Sequence, residues 1–189
     1  MKTLQAEQDQ LAISILKNCN AENPNFRFMF GDRPAKWRTR LFFSTSIKHA
    51  RKQNGAYISN DEQGVAFIWC NKNPEKRSPI SFLQSLLIFP LRKLFKITRF
   101  QKRVKRLLPK EPHLYFQFLA LGKANNSIST IIDLRDNTFS LAESMHLPIY
   151  AQTANTETKK IYERYGFKAY KELNFPKMDH KLYFLKREF

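Results

Sequence analysis

The feature that most restricts the fold is the stretch of residues 147–167, LPIYAQTANTETKKIYERYGF. A short apolar run leads into a polar turn at Asn155, and the pattern of a short basic helix follows. The stretch closes with Gly166 and Phe167, and glycine is the usual residue just past the end of a helix. We predict a buried strand that feeds directly into a helix, as in α/β proteins.

Hydrophobic periodicity divides the rest of the chain into similar elements. Apolar residues at helical spacing predict helices over 4–18, 37–52, 129–145 and 156–165, and Asn23-Pro24 is expected to break the first of them. Apolar runs and turn residues predict strands at 56–59, 65–70, 113–121, 147–151, 167–170 and 180–186. For the helix at 129–145, the inner face is expected to carry Ile132, Leu134, Phe139, Leu141 and Ala142. We expect a single mixed α/β domain over residues 1–189.

The chain is strongly basic, with a formal net charge of +17 in 189 residues. Within it, residues 77–110 contain many Lys and Arg residues, no Asp or Glu, and apolar residues at three- and four-residue steps. This predicts a basic helical insertion of one or two amphipathic helices, divided at Pro90. The basic face either points to water while the apolar face packs on the sheet, or binds nucleic acid or an anionic membrane surface.

Other composition features argue for an ordinary cytoplasmic protein. The first ten residues are polar, so no secretory signal is expected, and no apolar run approaches the roughly 20 residues that span a bilayer. Cys19 and Cys70 have no metal-binding spacing and are expected to be free thiols. No metal site is expected.

The order of these elements resembles the GNAT superfamily, the acetyl-CoA-dependent N-acetyltransferases. The resemblance rests on Asn155, Tyr162 and Gly166-Phe167, and on the Pro112-His113-x-Tyr115 start of the strand at 113–121. It implies a central, mostly antiparallel mixed sheet flanked by helices, with one splayed pair of strands that holds acetyl-CoA. It also implies transfer of an acetyl group to an amine by direct attack.

The resemblance assigns roles to particular residues. Tyr162 matches the general acid, and the backbone near Leu121 matches the donor that polarises the thioester, with Leu119 and Leu121 pairing with the pantetheine arm. Asn155 matches a residue that contacts the cofactor or supports the helix cap. The pyrophosphate loop falls on Asn126, Ser127, Ile128, Ser129, Thr130 and Ile131.

This loop departs from the family pattern, because Ser129 and Ile131 replace two small positions that are usually glycine or alanine. A non-catalytic protein of the same fold with weak coenzyme A binding is therefore one alternative. A basic module for nucleic acid or anionic surfaces is the other. For the general base, His113, Glu111 and His146 are candidates by residue type, and residues 26–43 and 69–79 are expected to form the acceptor side.

Overall fold

A seven-stranded sheet forms the centre of the computed structural model, which describes residues 1–21, 23–31, 33–72, 85–122, 128–174 and 181–189. The strands are β1 (Lys2–Thr3), β2 (Ala56–Ile58), β3 (Gly64–Cys70), β4 (Leu114–Leu121), β5 (Ile149–Thr153), β6 (Lys168–Asn174) and β7 (Lys181–Arg187). Their order across the sheet is β1-β2-β3-β4-β5-β7-β6. Of the neighbouring pairs, β4 and β5 run parallel and the others antiparallel.

Helices cover both faces of this sheet. They are α1 (Asp9–Asn20), α2 (Pro24–Phe30), α3 (Lys36–Lys52), α4 (Leu91–Leu107), α5 (Ile128–Met145) and α6 (Thr156–Arg164). On one face, α1 and α3 pack on β2 and β3 around Phe43 and Phe67, and α4 packs on β7 through Val104. The opposite face is covered by α5 and α6, with Leu134 and Phe167 in its core. The predicted fold class, a mixed and mostly antiparallel sheet flanked by helices, is confirmed.

The N-terminal region differs from the sequence prediction. The first helix begins at Asp9 rather than Leu4, because residues 2–3 pair with β2 and the Leu4 N–H donates to Ala56 at 2.9 Å. Asn23 and Pro24 were expected to break this helix only. Instead, the Asn23 side chain accepts from the Asn25 N–H, and Pro24 occupies the first turn of α2.

Two further expectations can be compared with the structure. The basic segment is helical at residues 85–88, and Pro90 separates this turn from α4, as predicted; residues 77–84 lie outside the described part. On α5, Leu134 and Ala142 are buried, but Ile132 is exposed and Thr138 is buried. The inner face was therefore predicted wrongly at Ile132. Among the described residues, none of the helices combines the length and the hydrophobicity of a bilayer-spanning segment.

Candidate active site

The parallel strands β4 and β5 separate after a short paired stretch and form a fork. Their paired positions are Leu114 with Ile149 and Tyr115 with Tyr150. Beyond these positions β4 continues to Leu121, still paired with β3. The side of β4 that faces β5 is therefore an open sheet edge over its second half, which provides backbone groups for an added strand-like ligand.

The backbone of Leu119 and Leu121 faces this open edge. The Gly122 N–H donates to Gln63 at 2.6 Å, so Gly122 and, by alternation, Ala120 direct their peptide groups toward β3. The intervening residues Leu119 and Leu121 direct theirs into the fork. Near the base of the fork, Gln117 forms a bulge, because Phe67 and Ile68 pair with Phe118 and Phe116.

Tyr162 lies at the fork on the face covered by α5 and α6. Its ring is 4.9 Å from that of Phe167 and 6.5 Å from that of Phe116, measured between centroids. Burial raises the pKa of Tyr162 to about 12. The hydroxyl therefore stays protonated at neutral pH, as a proton donor must, although a high pKa also makes full proton transfer less favourable.

Asn155 is the N-cap of α6. Its side-chain oxygen accepts from the N–H groups of Glu157 at 2.7 Å and Thr158 at 3.2 Å. The structure thus shows the capping role of this residue, and leaves only its amide NH₂ for another contact. At the other end of the helix, Gly166 has φ of +85°, a conformation that favours glycine, and Phe167 is buried behind it.

The first described turn of α5 contains four of the six residues matched to the pyrophosphate loop. Asn126 and Ser127 lie outside the described residues. Ile128 is 73% exposed, Ser129 is exposed and Ile131 is half-buried. Thr130 is buried, and its hydroxyl donates to the Asp61 carboxylate in the turn between β2 and β3. Its side chain therefore anchors the helix to that turn.

The Asp61 carboxylate organises this contact. Burial opposes its ionisation, but hydrogen bonds from Ser59, Thr130 and the Gln63 N–H outweigh that effect and hold the pKa of Asp61 below its ordinary value. Asp133, one turn along α5 from Thr130, accepts from the backbone N–H and side chain of Asn60 in the same turn. The β2–β3 turn therefore holds the start of α5 against the end of the fork.

Gly64 allows this helix to come close to β3. A Cβ at this position would lie 2.6 Å from Thr130 Cγ2 and 2.8 Å from Leu134 Cδ1, well inside normal contact distance. The family pattern places small residues on the helix; here a small residue stands on the facing strand. We did not identify Gly64 or Asp61 from the sequence, because their partners are more than 60 residues away.

A cavity of about 370 Å³ lies on the other face of the sheet, beside the base of the fork. Its polar lining comes from Glu111, Tyr150, Tyr170 and three cations, Arg106, Lys171 and Lys186. The Tyr150 hydroxyl donates to Glu111 Oε1 at 3.2 Å, and Lys186 pairs with Glu188 at 2.6 Å. The volume is within the range of small-molecule sites.

Tyr115 connects the cavity with the fork. It is buried, and its pKa is raised first by burial and then by its interactions with Tyr170 and Tyr162. Tyr170 lines the cavity, while Tyr162 lies at the fork. Tyr170 and Tyr162 are therefore both close enough to Tyr115 to raise its pKa, at the point where β4 and β5 separate.

The three candidates for a general base lie in different surroundings. His113 is buried; its Nδ1 is 2.8 Å from the Glu111 carbonyl oxygen, and burial lowers its pKa. His146 is exposed at the far end of α5, with its ring against Phe189, so it lies away from the fork. Glu111 is the candidate whose carboxylate borders the cavity.

Metal ligation has no support in the described ranges, where no group of three or more His, Cys, Asp or Glu side chains could hold an ion. Cys19 and Cys70 are free thiols, as expected.

Comparison with solved structures identifies the fold, although no protein-family model and no curated protein sequence matches the chain. The C-terminal condensation domain of Ebony, in complex with beta-alanyl-dopamine, superposes with a TM-score of 0.72 at 12% identity, covering 98% of this chain and 96% of that one. Arylalkylamine N-acetyltransferase 2 from Aedes aegypti superposes with a TM-score of 0.69 at 13% identity, covering 99% of this chain and 97% of that one.

An acetyltransferase from Corynebacterium glutamicum related to histone acetyltransferase HPA2 superposes with a TM-score of 0.67 at 15% identity, covering 99% of this chain and 94% of that one. The chain has the GNAT fold. At these identities the likeness establishes the arrangement of the sheet and helices.

Proposed function

We propose that this GNAT-fold chain is an N-acetyltransferase that moves an acetyl group from acetyl-CoA to an amine by direct attack. The observation that carries the proposal is the opening of β4 from β5 after only two paired positions. It leaves the N–H groups of Leu119 and Leu121 facing a gap, and Tyr162 lies at the base of that gap, with its ring near that of Phe116. An extended pantetheine arm can pair with such an edge as an added strand would.

In the proposed reaction, the amine nitrogen bonds to the thioester carbon and the carbon–sulfur bond breaks. A backbone N–H on the open edge of β4, the edge that includes Leu121, donates to the thioester oxygen, on which negative charge grows during attack. Tyr162 gives its proton to the departing sulfur, and solvent returns to Tyr162 the proton that the amine has lost. Acetyl-CoA supplies the activated acetyl group.

The residues fit acetyl-CoA better at the thioester end than at the pyrophosphate end. At the thioester end, the edge of β4 offers backbone donors that do not depend on side-chain identity. At the pyrophosphate end, Ser129 and Ile131 stand at the two small positions, and the bulky, β-branched side chain of Ile131 hinders close approach of the phosphates. We therefore expect binding to be carried mainly by the pantetheine arm.

We place the acceptor site in the cavity beside Glu111. Its described lining residues lie outside 26–43 and 69–79, the segments expected from the sequence to form the acceptor side. Glu111 can attract a positively charged amine, and Arg106 and Lys171 form no ion pair with another residue of the described ranges. We expect amines that also carry a negatively charged group to be better acceptors than the same amines without it. A panel of amine pairs that differ by one carboxylate measures this preference directly.

The first experiment is titration with acetyl-CoA, followed by thermal unfolding and by an assay of thiol release with the amine panel. A ligand at 100 times its Kd stabilises the folded protein by about 2.7 kcal/mol. We expect a clear rise in Tm and amine-dependent thiol release. No shift at millimolar acetyl-CoA would instead support the non-catalytic protein of the same fold.

A proline substitution tests the backbone donor. Leu121→Pro removes an N–H that faces the fork, so the pairing of β4 with β3 should survive while kcat/KM falls at least tenfold. Ala120→Pro is the matched control, because it removes an N–H directed toward β3 and should destabilise the sheet. Full activity of a folded Leu121→Pro protein would exclude this donor.

A further inference from the structure

The outer face of α4 combines a dense positive charge with exposed apolar side chains. The helix carries eight basic residues and no acidic one: Arg92, Lys93, Lys96, Arg99, Lys102, Arg103, Lys105 and Arg106. None of them forms an ion pair with another residue in the part of the chain that the structure describes. Within the described residues, ion pairs therefore leave the positive charge of α4 unneutralised.

Three large apolar side chains near the start of α4 are exposed to solvent. Phe95 is 77% exposed and Leu91 64%, one turn apart on α4, and Leu87, in the turn before Pro90, is 61% exposed. At about 100° per residue, Phe95 lies about 180° around the helix from buried Val104, on the side of Lys102 and Arg99. Val104 packs on β7, and Ile97 packs against Phe89 and the side chains of α2 and α3, whereas Phe95 belongs to neither cluster.

We propose that this face, Leu87, Leu91 and Phe95 with the basic residues around them, docks on the surface of an anionic lipid bilayer. A helix of this kind lies in the plane of the membrane, with its apolar side chains at the boundary between headgroups and acyl chains. Its cations then lie at the level of the negatively charged headgroups, where charge complementarity adds to the binding.

The composition of the face favours a bilayer over a nucleic acid. Phosphate backbones are bound by cations and other hydrogen-bond donors, and single strands add stacking on aromatic rings. Phe95 could stack, but Leu87 and Leu91 have no ring with which to do so. Two exposed aliphatic side chains next to an exposed aromatic one are the combination that inserts between lipid headgroups.

A cavity at the same end of α4 also suits an anionic headgroup. Its volume is about 240 Å³, and its described lining residues include Arg33, Arg38 and Lys93 and no acidic residue. The Nε of Arg38 is buried and has no hydrogen-bond acceptor among the described residues. The cavity is bordered by Pro90, next to exposed Leu91, so a phosphate there would be adjacent to the docking face.

The test is co-sedimentation of the full chain with vesicles of equal parts phosphatidylcholine and phosphatidylglycerol, compared with vesicles of phosphatidylcholine alone. We expect binding to the anionic vesicles only, weakened by salt. Phe95→Ser should lower the partition coefficient at least tenfold. Arg99→Gln combined with Lys102→Gln should lower it roughly thirtyfold, the factor expected for two cations at an anionic surface.

The matched control is Lys48→Gln with Lys52→Gln, an equal loss of charge on the exposed side of α3, which should change binding far less. A second variant, Phe95→Trp, keeps an aromatic ring in place. Its added fluorescence, relative to that of the parent, should shift to shorter wavelength with anionic vesicles. Because these side chains do not reach the fork, acetyl transfer in the absence of lipid should be unchanged, so failure here is separable from failure of the proposed activity.

Three outcomes would overturn the proposal. One is the absence of binding to anionic vesicles. Another is binding that is unaffected by Phe95→Ser and gives no shift for Phe95→Trp, which would mean charge attraction without docking of this face. The third is binding to single-stranded or duplex DNA that depends on Phe95 while vesicles do not bind, which would assign the face to nucleic acid.

Discussion

The two helices that follow the strands of the fork are held in place in different ways. The start of α6 is stabilised locally, by the Asn155 side chain that caps it. The start of α5 is held by distant parts of the chain, through Gly64 on β3 and through Asp61 and Asn60 in the β2–β3 turn. The helix nearest the proposed pyrophosphate site is thus positioned by the first half of the molecule.

This difference has a consequence for how substitutions should act. A change in the β2–β3 region can displace α5 without touching any residue of the α5 sequence. A change at Asn155 should remain confined to α6. Tyr162, on α6, should then affect chemistry without affecting the position of α5.

The largest expected effect on stability is that of Gly64→Ala. The new methyl group would overlap Thr130 Cγ2 and Leu134 Cδ1, and overpacking of this kind costs about 2 kcal/mol of the free energy of unfolding. Because α5 must move away, acetyl-CoA should also bind less tightly. Urea unfolding and calorimetry measure the two effects.

A second-site change controls this prediction. Thr130→Ser removes Cγ2 and keeps the hydroxyl that donates to Asp61, so in the Gly64→Ala background it should restore part of the lost stability. If Gly64→Ala unfolds at the same urea concentration as the parent, the close contact between β3 and α5 does not limit the helix position.

The next effect in size is that of Tyr162→Phe on turnover. We expect kcat to fall at least tenfold, about 1.4 kcal/mol in the barrier, with acetyl-CoA binding unchanged. Tyr165→Phe is the matched control on the same helix; Tyr165 is half-buried and lies under Arg135, away from the acid role. Equal kcat for Tyr162→Phe and the parent would remove Tyr162 from the mechanism.

The pH profile sharpens this test. The acid must be protonated to act, and with a pKa of about 12 it is fully protonated below pH 10. Activity that depends on Tyr162 is therefore present at lower pH and lost as pH rises toward 12. A loss of kcat between pH 8 and 10 that disappears in Tyr162→Phe would contradict the raised pKa.

Sequence patterns predicted what depends on local structure. Asn155 and Gly166 mark the ends of α6 by their residue types, and the helix lies between them. Asn23-Pro24 carried an equally local signal, a cap followed by proline in the first turn, which we interpreted only as a break. The pairing of residues 2–3 with β2 has no local signal, since the partner strand lies more than 50 residues along the chain.

The fork and the cavity show the same limit. The splayed strands were expected from resemblance, and the paired positions of β4 and β5 confirm them. The cavity brings together Glu111, Tyr150, Tyr170 and Lys186 from one loop and three strands, and no periodicity in the sequence relates these positions. The exposure of Phe95 could not be predicted from the sequence either, because an apolar residue at helical spacing is usually assigned to the packed face.

The smallest expected effect is that of Asn155→Ala, which removes the cap of α6. The loss of a side-chain cap costs about 1 kcal/mol of the free energy of unfolding, measured by thermal or urea unfolding. Asn155→Asp keeps the accepting oxygen and should unfold like the parent, but it replaces the amide NH₂ by a negative charge. If Asn155 acts only as a cap, this variant binds acetyl-CoA as the parent does. If the NH₂ group contacts the cofactor, the added charge weakens acetyl-CoA binding although stability is retained. Asn155 would then both cap α6 and bind the ligand.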